Sequence, residues 1–352
     1  MKRFFKLLFI FTIPILFIGI LDSVILSPVF FANRVWEGLS FNDVMSMPFY
    51  PNQSIKMAEI GDLGFHTKAA VVKNVVWKTD RLGFRNDSVV LDPDILIVGD
   101  SFVAGSTLTQ DSTLTNTLIR LTNHNYKIYN IAPVPFNTCV SLLNKGIIKK
   151  PKLIICVSVE RFMGMITDTL EDLKFNNSYI LNQKYPRLYT TIDRFRKFTS
   201  MQWFNARFKN RKGIGFPSKV NPKMLFFEGT HSIDNDSILY HESIKSITLC
   251  NEKCKKWGVK FIYIPMPNKE TVYWDLVPYS KQPNLLFLVA SALNKLGIEN
   301  INPLPVYNRE KKKGRWLYNL DDTHWASPAV NVLAKEIVHY IDSTKILNSS
   351  YK

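Results

Sequence analysis

A serine, a histidine and two aspartates carry the chemistry legible in this chain. Ser101 follows Ile95-Leu96-Ile97-Val98-Gly99-Asp100, a short apolar run broken at a glycine. Far downstream, Asp321-Asp322-Thr323-His324-Trp325 offers an imidazole with carboxylates two and three residues before it. A serine hydroxyl is a poor nucleophile at neutral pH. It reacts when a neighbouring imidazole takes its proton and a carboxylate holds that imidazole. Each piece also has a plain structural reading, as a helix-capping serine or aspartate. Together they point to serine-dependent acyl transfer.

Two carboxylates compete for the orienting role. Thr323-His324-Trp325 reads as extended, with a helix beginning near Ser327-Pro328, because proline is at home in a first helical turn. On an extended approach residues i−2 and i share a side, which favours Asp322. Asp321 would take the role if a helical turn had already begun. The other five histidines have no comparable acid pairing, and among them only His231, in Gly229-Thr230-His231, is worth following.

These residues need a scaffold, and from about residue 90 the chain alternates strand and helix. Apolar strands are expected at 95–99, 127–131, 152–158 and 259–264. Helices are expected over Thr113–Leu121, Val140–Ile147, Ser243–Trp257, Leu285–Leu296 and Ser327–Ile341. Short β runs separated by helices predict an α/β fold, a doubly wound, flavodoxin-like parallel sheet covered by helices on both faces. Such folds place ligands outside the carboxyl ends of the strands, where Ser101 falls. Its own N–H could there face a developing oxyanion. The expected organisation is an N-terminal membrane segment (1–28), a lead-in (29–90) and a catalytic domain (91–345) with an insertion at about 165–235.

The 352 residues are 46% hydrophobic and 13% aromatic, which makes the chain globular rather than disordered. Lys and Arg number 45 against 29 Asp and Glu, a net charge of +16 that suits polyanionic partners. The N-terminus chooses among them. Met1-Lys2-Arg3-Phe4-Phe5-Lys6 precedes an apolar run from Leu7 to Leu21, and three basic residues before such a run predict export of the rest of the chain. No small-x-small cleavage site comes after the run, favouring an uncleaved single-pass anchor over a signal peptide. With the remainder extracytoplasmic, nucleic acid is not expected as a partner. Cys139, Cys156, Cys250 and Cys254 read as structural thiols, and no metal or cofactor is expected.

Taken together, Gly99-Asp100-Ser101 after a strand and a terminal Asp-x-x-His resemble the SGNH (GDSL-like) hydrolase superfamily. Asp322-Thr323-His324-Trp325 is similar to the Asp-Thr-His-Trp motif of the alginate O-acetyltransferase-like branch. Similar segments are Pro267-Asn268-Lys269-Glu270-Thr271-Val272-Tyr273, Val159-Glu160-Arg161, and Leu82-Gly83-Phe84-Arg85-Asn86. The matches span 82–325, although the serine here precedes the Asp-His block, whereas in the alginate branch that block comes first. The superfamily completes its oxyanion hole with a glycine and an asparagine from later blocks. Here those blocks read Asn130-Ile131-Ala132-Pro133-Val134-Pro135-Phe136-Asn137 and Val157-Ser158-Val159-Glu160-Arg161-Phe162, with neither at its expected place. The candidates that remain are a neighbouring amide, the Asn137 side chain and Arg161, the last equally readable as an ion-pair partner of Glu160. Lys269 is a candidate for binding an anionic substrate, or else a solvated surface lysine.

The resemblance implies a cell-envelope O-acetyltransferase or O-acetylesterase acting on a surface polysaccharide. A transferase would need a separate multi-span protein to deliver acyl groups across the membrane. The alternative, a non-catalytic glycan-binding or scaffold module, draws on the missing oxyanion residues.

Overall fold

A computed structural model of the chain describes residues 1–22, 48–64, 67–167, 215–227, 237–278 and 281–347, with residues 34, 35, 39 and 188 singly. Most of the expected 165–235 insertion, and His231, lie outside the described residues. The chain opens with α1 (Lys2–Leu21), whose most apolar stretch has a mean hydropathy of 2.5. At about 1.5 Å per residue it is long enough to cross a bilayer. A buried soluble helix does not fit this segment, because Phe9, Phe11 and Phe17 are 64–69% exposed.

The lead-in is more than an extended tether. Within it β1 (Ser54–Glu59) and β2 (Lys73–Lys78) pair antiparallel, Ser54 opposite Lys78, and the loop joining them reaches the candidate site. Next come β3 (Ile95–Gly99), α2 (Ser101–Ala104), α3 (Leu114–Leu121), β4 (Ile128–Asn130), α4 (Phe136–Asn144) and β5 (Leu153–Val159). A hairpin of β6 (Gly215–Pro217) and β7 (Leu225–Phe227) precedes α5 (Ser237–Trp257), β8 (Lys260–Met266) and α6 (Lys269–Val272). The chain continues through α7 (Leu285–Lys295), α8 (Leu304–Lys312) and α9 (Ser327–Thr344).

Four parallel strands form the central sheet in the order β4-β3-β5-β8. A parallel bridge between Tyr263 and Asn300 extends it past β8. Every residue of β3 and β5 is buried, as strands covered on both faces must be. The order reverses at β3, so right-handed crossovers put the β3–β4 connection on one face and the later ones on the other. Accordingly α3 packs on α9, and α5 on α7. The fold is the expected doubly wound α/β sheet.

Helix α4 starts four residues before the expected Val140. Pro135, extended and with φ fixed, sets its start, and Gly146 at φ +66° closes the turn just beyond its end. The four cysteines are buried and free.

Candidate active site

Ser101 stands at the carboxyl end of β3, next to the strand-order reversal. Gly99 is required there, since a Cβ would fall 2.5 Å from the Val103 side chain and 2.6 Å from the Val157 carbonyl. Asp100 caps α2, its Oδ1 accepting from the Phe102 N–H at 2.9 Å while Oδ2 accepts from the Val159 N–H at 2.8 Å. One carboxylate thus pins the serine turn to the end of β5. Burial pushes the Asp100 carboxyl up, against those two N–H donors. Behind the turn, the buried Arg85 guanidinium donates to Ala104 O (3.0 Å), Leu108 O (2.6 Å) and Val76 O (3.1 Å) and lies over the Trp77 ring. It ties the exit of α2 to β2.

His324 sits in a loop closed by an antiparallel bridge between Tyr318 and Trp325. The Ser101 hydroxyl donates to His324 Nε2 at 2.8 Å. On the other side of the ring, Nδ1–H donates to Asp322 Oδ1 at 2.5 Å, the tautomer following from a carboxylate that only accepts. Asp322 Oδ1 also accepts from the His324 main-chain N–H at 2.7 Å, making an Asx turn. That turn, rather than strand alternation, brings the i−2 carboxylate against the ring. Burial opposes ionisation of Asp322. The adjoining imidazole, Arg34 and the His324 amide prevail, holding the carboxyl well below its usual range.

Sequence reasoning missed what holds this loop. Four consecutive amides of the β1–β2 loop donate to the two aspartates: Gly61 to Asp321 Oδ2 (2.9 Å), Asp62 to Asp322 Oδ2 (2.8 Å), and Leu63 and Gly64 to Asp321 O (3.0 and 2.9 Å). A Cβ on Gly61 would meet the Asp321 carbonyl oxygen at 2.1 Å, so only glycine allows this approach. Asp321 is further tied to the Val71 N–H and to Lys73 Nζ, at 2.8 and 2.5 Å. It faces away from the imidazole. The Asp62 side chain accepts from both Thr323 N–H and Thr323 Oγ1–H, at 2.9 and 2.8 Å, and lies 3.5 Å from Arg34. Burial and the Asp322 charge push Asp62 up, with His324 and Arg34 opposing. Asp62, Asp322 and His324 stand close enough together to hold a cation. Their ligand atoms already serve the hydrogen bonds described.

Three expected site residues are placed otherwise. Lys269 is buried and does not reach substrate space. Its ammonium donates to the carbonyls of Leu225, Asn319, Leu320 and Asp322 at 2.5–3.2 Å, and so fastens the His324 loop from below. Burial pulls it down to about 8, against the pull of nearby Glu270 and Asp322. It is neither an anion binder nor a solvated lysine. Arg161 donates to Asn268 Oδ1 at 2.9 Å, and Asn137 lies in the first turn of α4; neither lines the cavity at Ser101. Beside the hydroxyl, the Ser101 N–H has no partner among the described residues.

The cavity beside Ser101 holds about 290 Å³, and Ser101 itself lines it. Pro133, Val134, Pro135 and Phe136 line one side, and Phe162, Met165 and Ile166 another.

No protein-family model matches the chain, and no curated protein does. A solved structure from Bacteroides fragilis, of a protein provisionally described as an acylhydrolase, is similar over 72% of this chain and 88% of its own. Identity is 10% and the TM-score 0.36. So slight a likeness carries no argument about fold or activity.

Proposed function

We propose that the chain is a serine-dependent acyl-transfer enzyme of the SGNH kind, working as an esterase or acyltransferase at the cell envelope. The observation that carries this reading is the unbroken relay Ser101 Oγ–His324 Nε2, His324 Nδ1–Asp322 Oδ1 at 2.8 and 2.5 Å. In this mechanism Ser101 Oγ attacks the ester carbonyl carbon as its proton passes to His324 Nε2. The ester C–O bond breaks, and the imidazolium returns that proton to the leaving oxygen. Asp322 keeps the ring in the required tautomer and stabilises the transient imidazolium. The Ser101 N–H supplies an oxyanion donor. Water then releases the acyl group in an esterase, and a sugar hydroxyl takes it in a transferase.

The envelope setting draws on α1 and on the net charge of +16. With α1 as a single-pass anchor and the rest extracytoplasmic, a cationic surface would be retained near an anionic polysaccharide, the substrate we propose. Transfer would call for a multi-span partner that brings acyl groups outward.

A second reading, a non-catalytic glycan-binding scaffold, is favoured by one observation: neither Asn137 nor Arg161 lines the cavity at Ser101. Turnover of p-nitrophenyl esters separates the two. The enzyme reading expects turnover that falls about 10⁴-fold in Ser101→Ala and in His324→Ala, with the double variant barely worse than either. Equal turnover by folded Ser101→Ala would overturn it.

A further inference from the structure

We propose that the cavity beside Ser101 seats the acyl chain of the substrate, and that the transferred group is a medium-length fatty acyl rather than acetyl. This rests on Ser101 being the nucleophile. Position supports it first. Ser101 lines the cavity, whereas no residue of the loop carrying His324 does. The leaving oxygen must take its proton from His324 Nε2 and therefore departs on the imidazole side. The acyl group, which stays on Ser101 Oγ as an ester, extends the other way, into the cavity.

The lining supports it next. Proline at 133 and 135 removes amide donors from the wall where the superfamily resemblance leads one to expect a polar one. The polar side chains that do line the cavity are engaged elsewhere: Asp100 accepts from Phe102 and Val159, and the Ser158 hydroxyl pairs with Tyr263 at 2.5 Å. The other lining side chains are apolar, Val134, Phe136, Phe162, Met165 and Ile166 among them. A sugar hydroxyl placed there would lose its hydrogen bonds to water without replacement. A methylene chain would lose nothing.

Size adds a third support. An acetyl methyl leaves most of 290 Å³ empty. At about 30 Å³ per methylene, close to the share of a water molecule, the cavity takes on the order of ten carbons, enough for an octanoyl chain.

The chain-length profile of the full-length protein in detergent tests this. p-Nitrophenyl acetate, butyrate, octanoate and palmitate are compared below their critical micelle concentrations, with Ser101→Ala as the blank. Burial adds about fourfold per methylene while the cavity fills. The proposal expects kcat/KM for octanoate at least about 100-fold above acetate, with palmitate falling back. Val134→Trp, checked for folding by thermal melt, should lower the octanoate-to-acetate ratio about tenfold or more. Ser101-dependent turnover that is highest on acetate, or a ratio unmoved in folded Val134→Trp, overturns the acyl-chain proposal and leaves the serine mechanism standing. Absence of Ser101-dependent turnover on every ester overturns that mechanism, and this proposal with it.

Discussion

The main-chain N–H of Asp62 donates to Oδ2 of Asp322 across 260 residues of sequence, at 2.8 Å. The carboxylate that faces the imidazole is therefore oriented from two ends of the chain: its own Asx turn on Oδ1 and the β1–β2 loop on Oδ2. The geometry of the Ser101–His324–Asp322 relay then depends on the lead-in as much as on the sheet.

The two adjacent aspartates should part company under substitution. Asp322→Asn keeps the shape but presents an amide to Nδ1, favouring the wrong tautomer, and should cost up to about 10⁴-fold in kcat. Asp321→Asn leaves the imidazole contact intact and should cost less than about tenfold in kcat. It removes the charge paired with Lys73, however, and should lower stability by about 1–3 kcal/mol. Steady-state kinetics with urea denaturation on both variants checks this.

Gly61→Ala tests the loop clamp. A methyl at 2.1 Å from the Asp321 carbonyl oxygen cannot be housed without moving one of the two loops. A fall in kcat of about tenfold or more is expected with the central sheet retained, read by turnover beside far-UV circular dichroism. Unchanged kcat would mean that the aspartate loop keeps its geometry without the lead-in.

How much of this was legible in the sequence divides along physical lines. The parallel strands were readable because strands buried on both faces become unbroken apolar runs, as in Leu153–Val159. Ser101 and His324 were readable because the roles proposed for them belong to side chains, and a serine after a strand and a histidine two residues past an aspartate show in sequence. The clamp was not. It is made by main-chain amides of Gly61-Asp62-Leu63-Gly64, which have no side-chain signature and read as an ordinary turn. Lys269 misled for the opposite reason: a lysine in sequence looks solvated, and only the carbonyl cage shows where its charge is used.

Glu160 gives stability a pH dependence. It is fully buried, accepts from the Asn268 N–H at 3.0 Å and the Thr271 hydroxyl at 2.5 Å, and is pushed up to about 7, burial outweighing both bonds. Its folded pKa thus lies above the ordinary glutamate value near 4.5. Between the two, the folded state holds a proton that the unfolded state has lost. This group's contribution therefore falls as pH rises through that window and levels off above about 7. Urea midpoints at pH 5 and pH 8 should show Glu160→Gln losing less stability across the interval than the parent. Parallel curves would remove Glu160 as the cause.

The proposed extracytoplasmic topology rests on Lys2, Arg3 and Lys6 ahead of the apolar helix. Alkaline phosphatase fused after Lys352 should be active, and β-galactosidase fused there should not. The opposite pair of results would place the site in the cytoplasm and remove the polysaccharide argument.

The central claim is that His324 and Asp322 make Ser101 a nucleophile. A fluorophosphonate probe followed by peptide mass spectrometry reads this directly, because phosphonylation requires an activated hydroxyl rather than an exposed one. The expected result is a single adduct on Ser101, absent in His324→Ala and slowed about 10³-fold or more in Asp322→Asn. An unlabelled Ser101 in the folded protein, or labelling that persists without His324, would contradict it.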